Sequence, residues 1–218
     1  MKKYVLKYSK LSIIALQCML VVSTYSCNTT TAQQSRTRHP DPAPVIRKKT
    51  KIQVALLLDT SNSMDGLIDQ AKSRLWNIIN TLSTLRYQGS QPDLEIALYE
   101  YGNDGLSASE GHIRQVTPFT TDLDLLSEKL FALRTYGGLE YCGQVIQSAT
   151  RQLTWDHNDH SMKLIYIAGN EPFSQGKVHY AEAISSAVSN NIYVNTIYCG
   201  DYRSGIQEEW KTGADKGK

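Results

Sequence analysis

Ile52-Gln53-Val54-Ala55-Leu56-Leu57-Leu58 is an almost unbroken apolar run, and Asp59-Thr60-Ser61-Asn62-Ser63 follows it directly. An apolar run without alternation is typical of a strand that is covered on both faces of a parallel sheet. The apolar residues between Gly66 and Leu82 recur at helical spacing, so a helix follows. The polar segment therefore lies in a loop at the carboxyl end of a strand, where open α/β sheets bind their ligands.

This loop carries three oxygen donors of the kind that a hard divalent cation prefers. Asp59, Ser61 and Ser63 supply a carboxylate and two hydroxyls, which suit Mg²⁺ or Mn²⁺. The alternative is that these residues only cap the following helix, since Asp and Ser are common N-caps. Two further loops at the same predicted edge contain Glu140 and Asn170, so several oxygen donors converge and we favour metal binding.

Apolar runs alternate with amphipathic segments through the rest of the chain. Strands are predicted at 52–58, 94–101, 112–119, 163–168 and 193–198, and helices at 66–82, 121–133, 141–153, 178–190 and 206–216. We expect the strand at 112–119 to run antiparallel to its neighbour. This order predicts an α/β fold, a doubly wound and mostly parallel sheet with one antiparallel strand and helices on both faces.

The N-terminal residues have the features of an export signal. Basic residues from Lys2 to Lys10 precede an apolar stretch that is too short to span a bilayer comfortably. We assign residues 1–26 to a signal peptide, 27–50 to a flexible polar tether and 51–218 to the folded domain. Whether the leader is removed by ordinary signal cleavage or by lipoprotein processing, the domain is predicted to lie outside the cytoplasm, in the periplasm or at the outer membrane or cell envelope.

The segment that ends in Ser26-Cys27 resembles a bacterial lipoprotein processing site. This resemblance predicts lipidation of Cys27 and a membrane anchor. The alternative is ordinary signal cleavage nearby, which releases a soluble exported protein. Thr24 and Tyr25 depart from the usual residues of such a site, so both outcomes stay open.

Composition and motifs argue against two classes of function. The chain has 218 residues and a formal net charge of +2, with no basic stripe interleaved with aromatic residues, so we expect no binding to nucleic acid. The sequence contains no nucleophile elbow, phosphate-binding loop or dinucleotide fingerprint. A serine nucleophile would also need an adjacent base. We therefore expect that the protein is not an enzyme.

In the loop from Asp59 to Ser63 and in the order of strands and helices, residues 51–216 resemble a von Willebrand factor type A (vWA) domain. Members of that family carry a metal-ion-dependent adhesion site (MIDAS), built from Asp-x-Ser-x-Ser, a threonine in a Gly-rich loop and an aspartate after a further strand. Asp59, Ser61 and Ser63 match the first motif. Leu139-Glu140 stands where the threonine is expected and Asn170 where the aspartate is, so the resemblance makes Glu140 and Asn170 the remaining ligand candidates.

The resemblance implies that a Mg²⁺ or Mn²⁺ ion keeps one coordination position open for an acidic side chain of another protein. A Glu140 ligand would weaken that attraction because it neutralises part of the charge of the ion. The predicted function is thus metal-supported protein binding, and the alternative is a metal-independent structural domain of an envelope complex. The family also closes its sheet with a sixth strand after the last helix, and we expect that edge strand to be missing here.

Two cysteines lie in the predicted domain. Cys142 begins a helix and Cys199 ends a strand at the same edge of the predicted sheet. An oxidising compartment permits a disulfide between them, and the alternative is two buried free thiols. We expect such a bond to stiffen the flank of the site.

Overall fold

Strands and helices alternate through residues 50–87 and 89–218, which a computed structural model describes. The strands are β1 (Lys51–Asp59), β2 (Asp93–Tyr101), β3 (Ile113–Thr120), β4 (Met162–Gly169) and β5 (Ile192–Tyr198). The helices are α1 (Ile68–Ser83), α2 (Leu123–Ala132), α3 (Cys142–Gln152), α4 (Tyr180–Ser189), α5 (Tyr202–Gln207) and α6 (Trp210–Lys216). Single 3₁₀ turns at Asn62–Met64 and Ala108–Glu110 follow β1 and β2.

The strands form one sheet in the order β3-β2-β1-β4-β5. The β2–β3 pair is antiparallel and the other three pairs are parallel, which confirms the predicted fold class. β1 is the central strand and pairs with β2 and β4 along most of its length. Its run of leucines is therefore fully buried, as the unbroken apolar pattern predicts.

Successive residues of β1 enter two different core layers. Leu57 packs in the cluster formed with α3 and α4, whereas Leu56 and Leu58 pack in the cluster formed with α1 and α2. This alternation follows from the pleat of the strand, which points neighbouring side chains to opposite faces. Both faces of the sheet are thus covered, and the loops at the carboxyl ends of the parallel strands share one edge.

The predicted signal peptide, residues 27–49 of the tether and Cys27 all lie outside the described residues. Predictions about export and lipidation therefore stay predictions. Within the part of the chain that the structure does describe, no helix combines the length and the hydropathy needed to cross a membrane.

The end of the chain differs from the single helix predicted at 206–216. α5 and α6 are separate helices, and Glu209 between them has a left-handed backbone with φ of 64°. This break lets Trp210 turn inward, where it is 1% exposed and its ring centroid lies 4.7 Å from that of Phe173. Tertiary packing of the tryptophan therefore overrides the helical periodicity of the segment.

β5 lies at the edge of the sheet, and no sixth strand accompanies it among the described residues. The C-terminal segment contacts this edge instead. The main-chain N–H of Val194 donates to the carbonyl of Gly217 at 3.1 Å, and Thr196 Oγ1 donates to the carbonyl of Trp210 at 2.9 Å. These contacts satisfy part of the outer edge of β5, which an unpaired strand would leave open to other chains.

We expect Trp210→Ala to lower the free energy of unfolding by about 3 kcal/mol or more, because it empties a filled aromatic site. The substitution also removes the hydrogen bond from Trp210 Nε1 to the carbonyl of Glu171 at 2.7 Å. Urea denaturation measures the loss. Tyr193→Ala on β5 is the control, since Tyr193 is 43% exposed and should cost much less. Equal losses in the two variants would contradict the packing role of Trp210.

Candidate metal-binding site

Asp59 is the last residue of β1 and is 0% exposed. Its Oδ1 atom accepts a hydrogen bond of 2.8 Å from the main-chain N–H of Ser61, and this bond shapes the loop that follows. The Oδ2 atom is buried and has no hydrogen-bond partner among the described residues. A buried carboxylate oxygen without a donor is unfavourable, and a bound cation is one means of compensating for it.

Ser61, Ser63 and Asn170 continue from Asp59 as a row of hydrogen-bonded side chains. The two serine hydroxyls share a hydrogen bond of 2.9 Å. Ser63 Oγ donates to Asn170 Oδ1 at 2.8 Å, and Asn170 Nδ2 donates back to the carbonyl of Ser63 at 2.9 Å. Asn170 can reach this loop because β4, which ends at Gly169, is the neighbour of β1 in the sheet.

Glu140 completes the group and is 5% exposed. A Cβ atom on Gly102 would lie 2.9 Å from Asp59 Oδ1 and 3.0 Å from Glu140 Cγ, so the two acidic side chains pack against the same glycine. Gly102 directly follows β2 and has a φ of 77°. Glycine is required there for its backbone conformation as well as for space.

The loop that delivers Glu140 passes unusually close to β2. A Cβ atom on Gly138 would lie 2.0 Å from the carbonyl oxygen of Gly102, so this approach requires glycine. The loop is also held by a hydrogen bond of 3.0 Å from the N–H of Tyr136 to the carbonyl of Thr60. As a result Leu139 points outward with 52% exposure, and the acid that follows it is buried.

The electrostatics of this edge are unfavourable for two buried acids. Burial raises the pKa of Asp59 to about 7; hydrogen bonds from Ser61 oppose this shift, and the charges of Glu140 and Glu171 add to it. Burial also raises the pKa of Glu140, with a further contribution from Glu171. Neither Asp59 nor Glu140 forms an ion pair with a basic residue in the described part of the chain. The site therefore lacks positive charge.

The structure brings all five predicted ligand residues to one edge of the sheet. Their carboxylate, hydroxyl and amide oxygens are a donor set that fits a hard divalent cation, and the unpartnered Asp59 Oδ2 fits the same group. No cluster of three or more His, Cys, Asp or Glu side chains with metal-binding geometry occurs within the described ranges. A cation here would thus depend on the serines and Asn170 as well as on the two acids.

The sequence did not indicate that Gly102 and the fully buried Tyr101 pack beside the acids of this site. A Cβ atom on Gly169 would lie 3.0 Å from Asp59 Oδ2 and 2.6 Å from Tyr101 Oη, so the phenol lies beside the buried acid. Tyr101 Oη donates to the carbonyl of Ala168 at 3.1 Å. The glycine directly after a strand was the available signal, since such glycines mark a close approach of other groups.

Of the two alternatives that the sequence left open for Cys142 and Cys199, the structure has the two free thiols. Cys142 is buried in the core cluster beneath α3 and α4, whereas Cys199 packs against the cluster on the opposite face of the sheet. Cys142 Sγ instead donates to Tyr101 Oη at 3.7 Å. Burial raises the pKa of both thiols, to about 12 for Cys199, so neither is a reactive thiolate at neutral pH.

No protein-family model matches this sequence, and a comparison with curated proteins gives no match. Solved structures do match. The vWA domain of SpRpn10 aligns with a TM-score of 0.57 and 16% identity, over 78% of this chain and 83% of that one. Proximal thread matrix protein 1 of the mussel byssus, described with a zinc-occupied MIDAS motif, aligns with a TM-score of 0.53 and 9% identity over 69% of this chain.

A third similar structure is the open conformation of the pilus adhesin SpaC from Lactobacillus rhamnosus GG. It aligns with a TM-score of 0.51 and 12% identity over 69% of this chain. This chain spans only 38% of the mussel protein and 24% of the adhesin. Identities this low establish the fold alone, and the fold is that of a vWA domain.

The raised pKa of Asp59 predicts how the metal-free protein responds to pH. The carboxyl binds its proton more tightly in the folded state, at a pKa of about 7, than at its ordinary value of 3.8. Protonation of Asp59 therefore contributes fully to the free energy of unfolding below pH 3.8, and this contribution is lost as the pH rises to about 7. Asp59→Asn removes this titration, so with chelator the variant gains roughly 1–4 kcal/mol over the wild type between pH 5 and 8.

Urea denaturation in the presence of chelator measures this difference at each pH. Asp159→Asn is the matched control, because Asp159 lies exposed in the loop before β4 and should leave the pH profile unchanged. Parallel pH profiles for wild type and Asp59→Asn would contradict the electrostatic account of the site.

Proposed function

We propose that this chain is an exported vWA-type domain that binds another protein through a divalent cation held at Asp59. The observation that carries the proposal is the buried Asp59 Oδ2 atom, which has no hydrogen-bond partner in the described part of the chain and lies beside a second buried acid, Glu140. Mg²⁺ or Mn²⁺ would compensate both charges. Asp59, Ser61, Ser63, Glu140 and Asn170 are the residues that would hold it, and the ion would offer a coordination position to the partner.

Exposed apolar and aromatic side chains around this edge support a protein partner. Tyr136 is 63% and Leu139 is 52% exposed in the loop that delivers Glu140. Tyr202 and Ile206 are exposed on α5, which follows β5 at the same edge of the sheet. Tyrosine and large apolar side chains are enriched at protein interfaces, so this rim would extend the contact beyond the ion.

The similar structures agree with this class of function. SpaC is a pilus adhesin, and the mussel protein is described with zinc in its MIDAS motif. The export signal predicted for residues 1–26 would place the domain outside the cytoplasm, where an adhesive function is useful. A lipid on Cys27 would attach it to a membrane, with residues 28–50 as the spacer.

We propose a binding function and not a catalytic one. The hydroxyls of Ser61 and Ser63 share a hydrogen bond, and that of Ser63 donates to Asn170 Oδ1. No histidine in the described ranges donates to or accepts from either hydroxyl. A serine nucleophile without an adjacent base remains a weak nucleophile. The proposal therefore treats the site as a binding site.

A metal-independent scaffold is the second candidate function, and the Ser63–Asn170 pair favours it. These two residues satisfy each other through two hydrogen bonds without any ion. In such a scaffold the loop after β1 would stiffen the edge of the sheet, and partners would bind equally well with and without metal.

Metal-dependent capture separates the two candidates. The full chain is immobilised, incubated with an envelope extract in Mg²⁺ or in chelator, and crosslinked, and the retained proteins are identified. We expect a partner that the wild type retains in Mg²⁺ and that is lost in chelator, in Asp59→Ala and in Leu139→Ser. Leu125→Ser is the matched control, since Leu125 is 38% exposed on α2, away from the rim.

Two results would contradict the proposal. If the same proteins are retained by every variant and in chelator, the domain is a metal-independent scaffold. If calorimetry of Mg²⁺ and Mn²⁺ with the folded wild type gives no binding that Asp59→Ala abolishes, the site does not hold a cation at all.

A further inference from the structure

We infer that the open position of the cation takes a neutral oxygen of the partner protein, and not a carboxylate, because Glu140 supplies that negative charge from within this chain. The inference rests on the proposed function and replaces the acidic partner that the family resemblance implies. The neutral oxygen would belong to a main-chain carbonyl, an amide or a hydroxyl of a segment of the partner protein.

The charge around the ion disfavours a carboxylate from outside. Asp59 and Glu140 are 0% and 5% exposed and pack against the same glycine, Gly102. Neither acid has a basic partner among the described residues. Two carboxylates balance a divalent cation fully, whereas one carboxylate with two serine hydroxyls would leave a net positive charge to attract an outside acid.

A third acid, Glu171, lies close enough to Asp59 and Glu140 to interact with their charges. Glu171 directly follows Asn170 and is half-buried, and its carbonyl accepts a hydrogen bond of 2.7 Å from Trp210 Nε1. This bond ties its backbone to the packed C-terminal segment. With Glu171 included, the site would carry a net negative charge even when it is loaded. An approaching carboxylate would be repelled, whereas a neutral oxygen would not.

The geometry of the Gly-rich loop places Glu140 inside the site. The close approach of Gly138 to the carbonyl of Gly102 fixes the register of the loop. Leu139 therefore points outward and Glu140 points inward. The acid is thus built into the site by the backbone, and it does not lie there as an exposed side chain that an incoming ligand could displace easily.

The outward Leu139 and Tyr136 add an apolar contact beside the ion. A protein segment that presents a carbonyl, amide or hydroxyl next to an apolar side chain would match both features. Such binding would depend on metal but would not require an acidic residue in the partner.

Acetate is a probe that stands in for a carboxylate of the partner protein. The full chain is loaded with Mn²⁺ to saturation, and water-proton relaxation follows the displacement of metal-bound water as acetate is added. The variants are Glu140→Gln, which keeps the size of the side chain, and Glu110→Gln as the matched control. Glu110 is exposed in the loop after β2, and its side chain makes no contact with the ligand residues among the described interactions.

We expect acetate to bind Glu140→Gln at least about tenfold more tightly than the wild type, because one negative charge next to the ion is removed. Glu110→Gln should behave as the wild type does. Glu140→Thr serves as a second variant if Glu140→Gln fails to fold.

Equal acetate binding by wild type and Glu140→Gln, including no detectable binding by either, would overturn the inference. In that case Mn²⁺ binding that Asp59→Ala abolishes would still support the proposed function. Failure of the folded wild type to bind Mn²⁺ would overturn both the inference and the proposed function.

Discussion

Burial of the Asp59 carboxylate at the end of the central strand is the constraint on which the rest of this edge depends. β1 lies between β2 and β4, so the loops after all three strands surround its last residue. One oxygen of Asp59 is held by the N–H of Ser61, and the other has no donor among the described residues. The glycines at 102, 138 and 169 make room for this arrangement, and a cation would balance it.

Much of the fold could be predicted from the apolar sequence of the central strand. The almost unbroken apolar run before Asp59 is typical of a strand covered on both faces, and that placed the loop at the functional edge. The convergence of Asp59 and Asn170 then followed from the parallel pairing of β1 with β4. What the residues could not specify was the orientation of the Gly-rich loop, where burial of Glu140 depends on a close contact between backbones.

Tertiary packing decides two features that the sequence did not. The final helix is interrupted at Glu209 because Trp210 fills a site against Phe173, and helical periodicity alone does not reveal such a site. Cys142 and Cys199 lie at the same edge, as predicted, but against opposite faces of the sheet. The edge of the sheet at which each cysteine lies could be predicted, whereas the face on which each side chain packs required the structure.

The most direct test of the account is anomalous diffraction from crystals of the protein grown with saturating Mn²⁺. The account predicts a peak within about 2.5 Å of a carboxylate oxygen of Asp59 and next to the hydroxyls of Ser61 and Ser63, and no such peak in Asp59→Ala. A wild-type structure with no peak at this edge and with Asp59 Oδ2 bonded to a donor within the protein would contradict it.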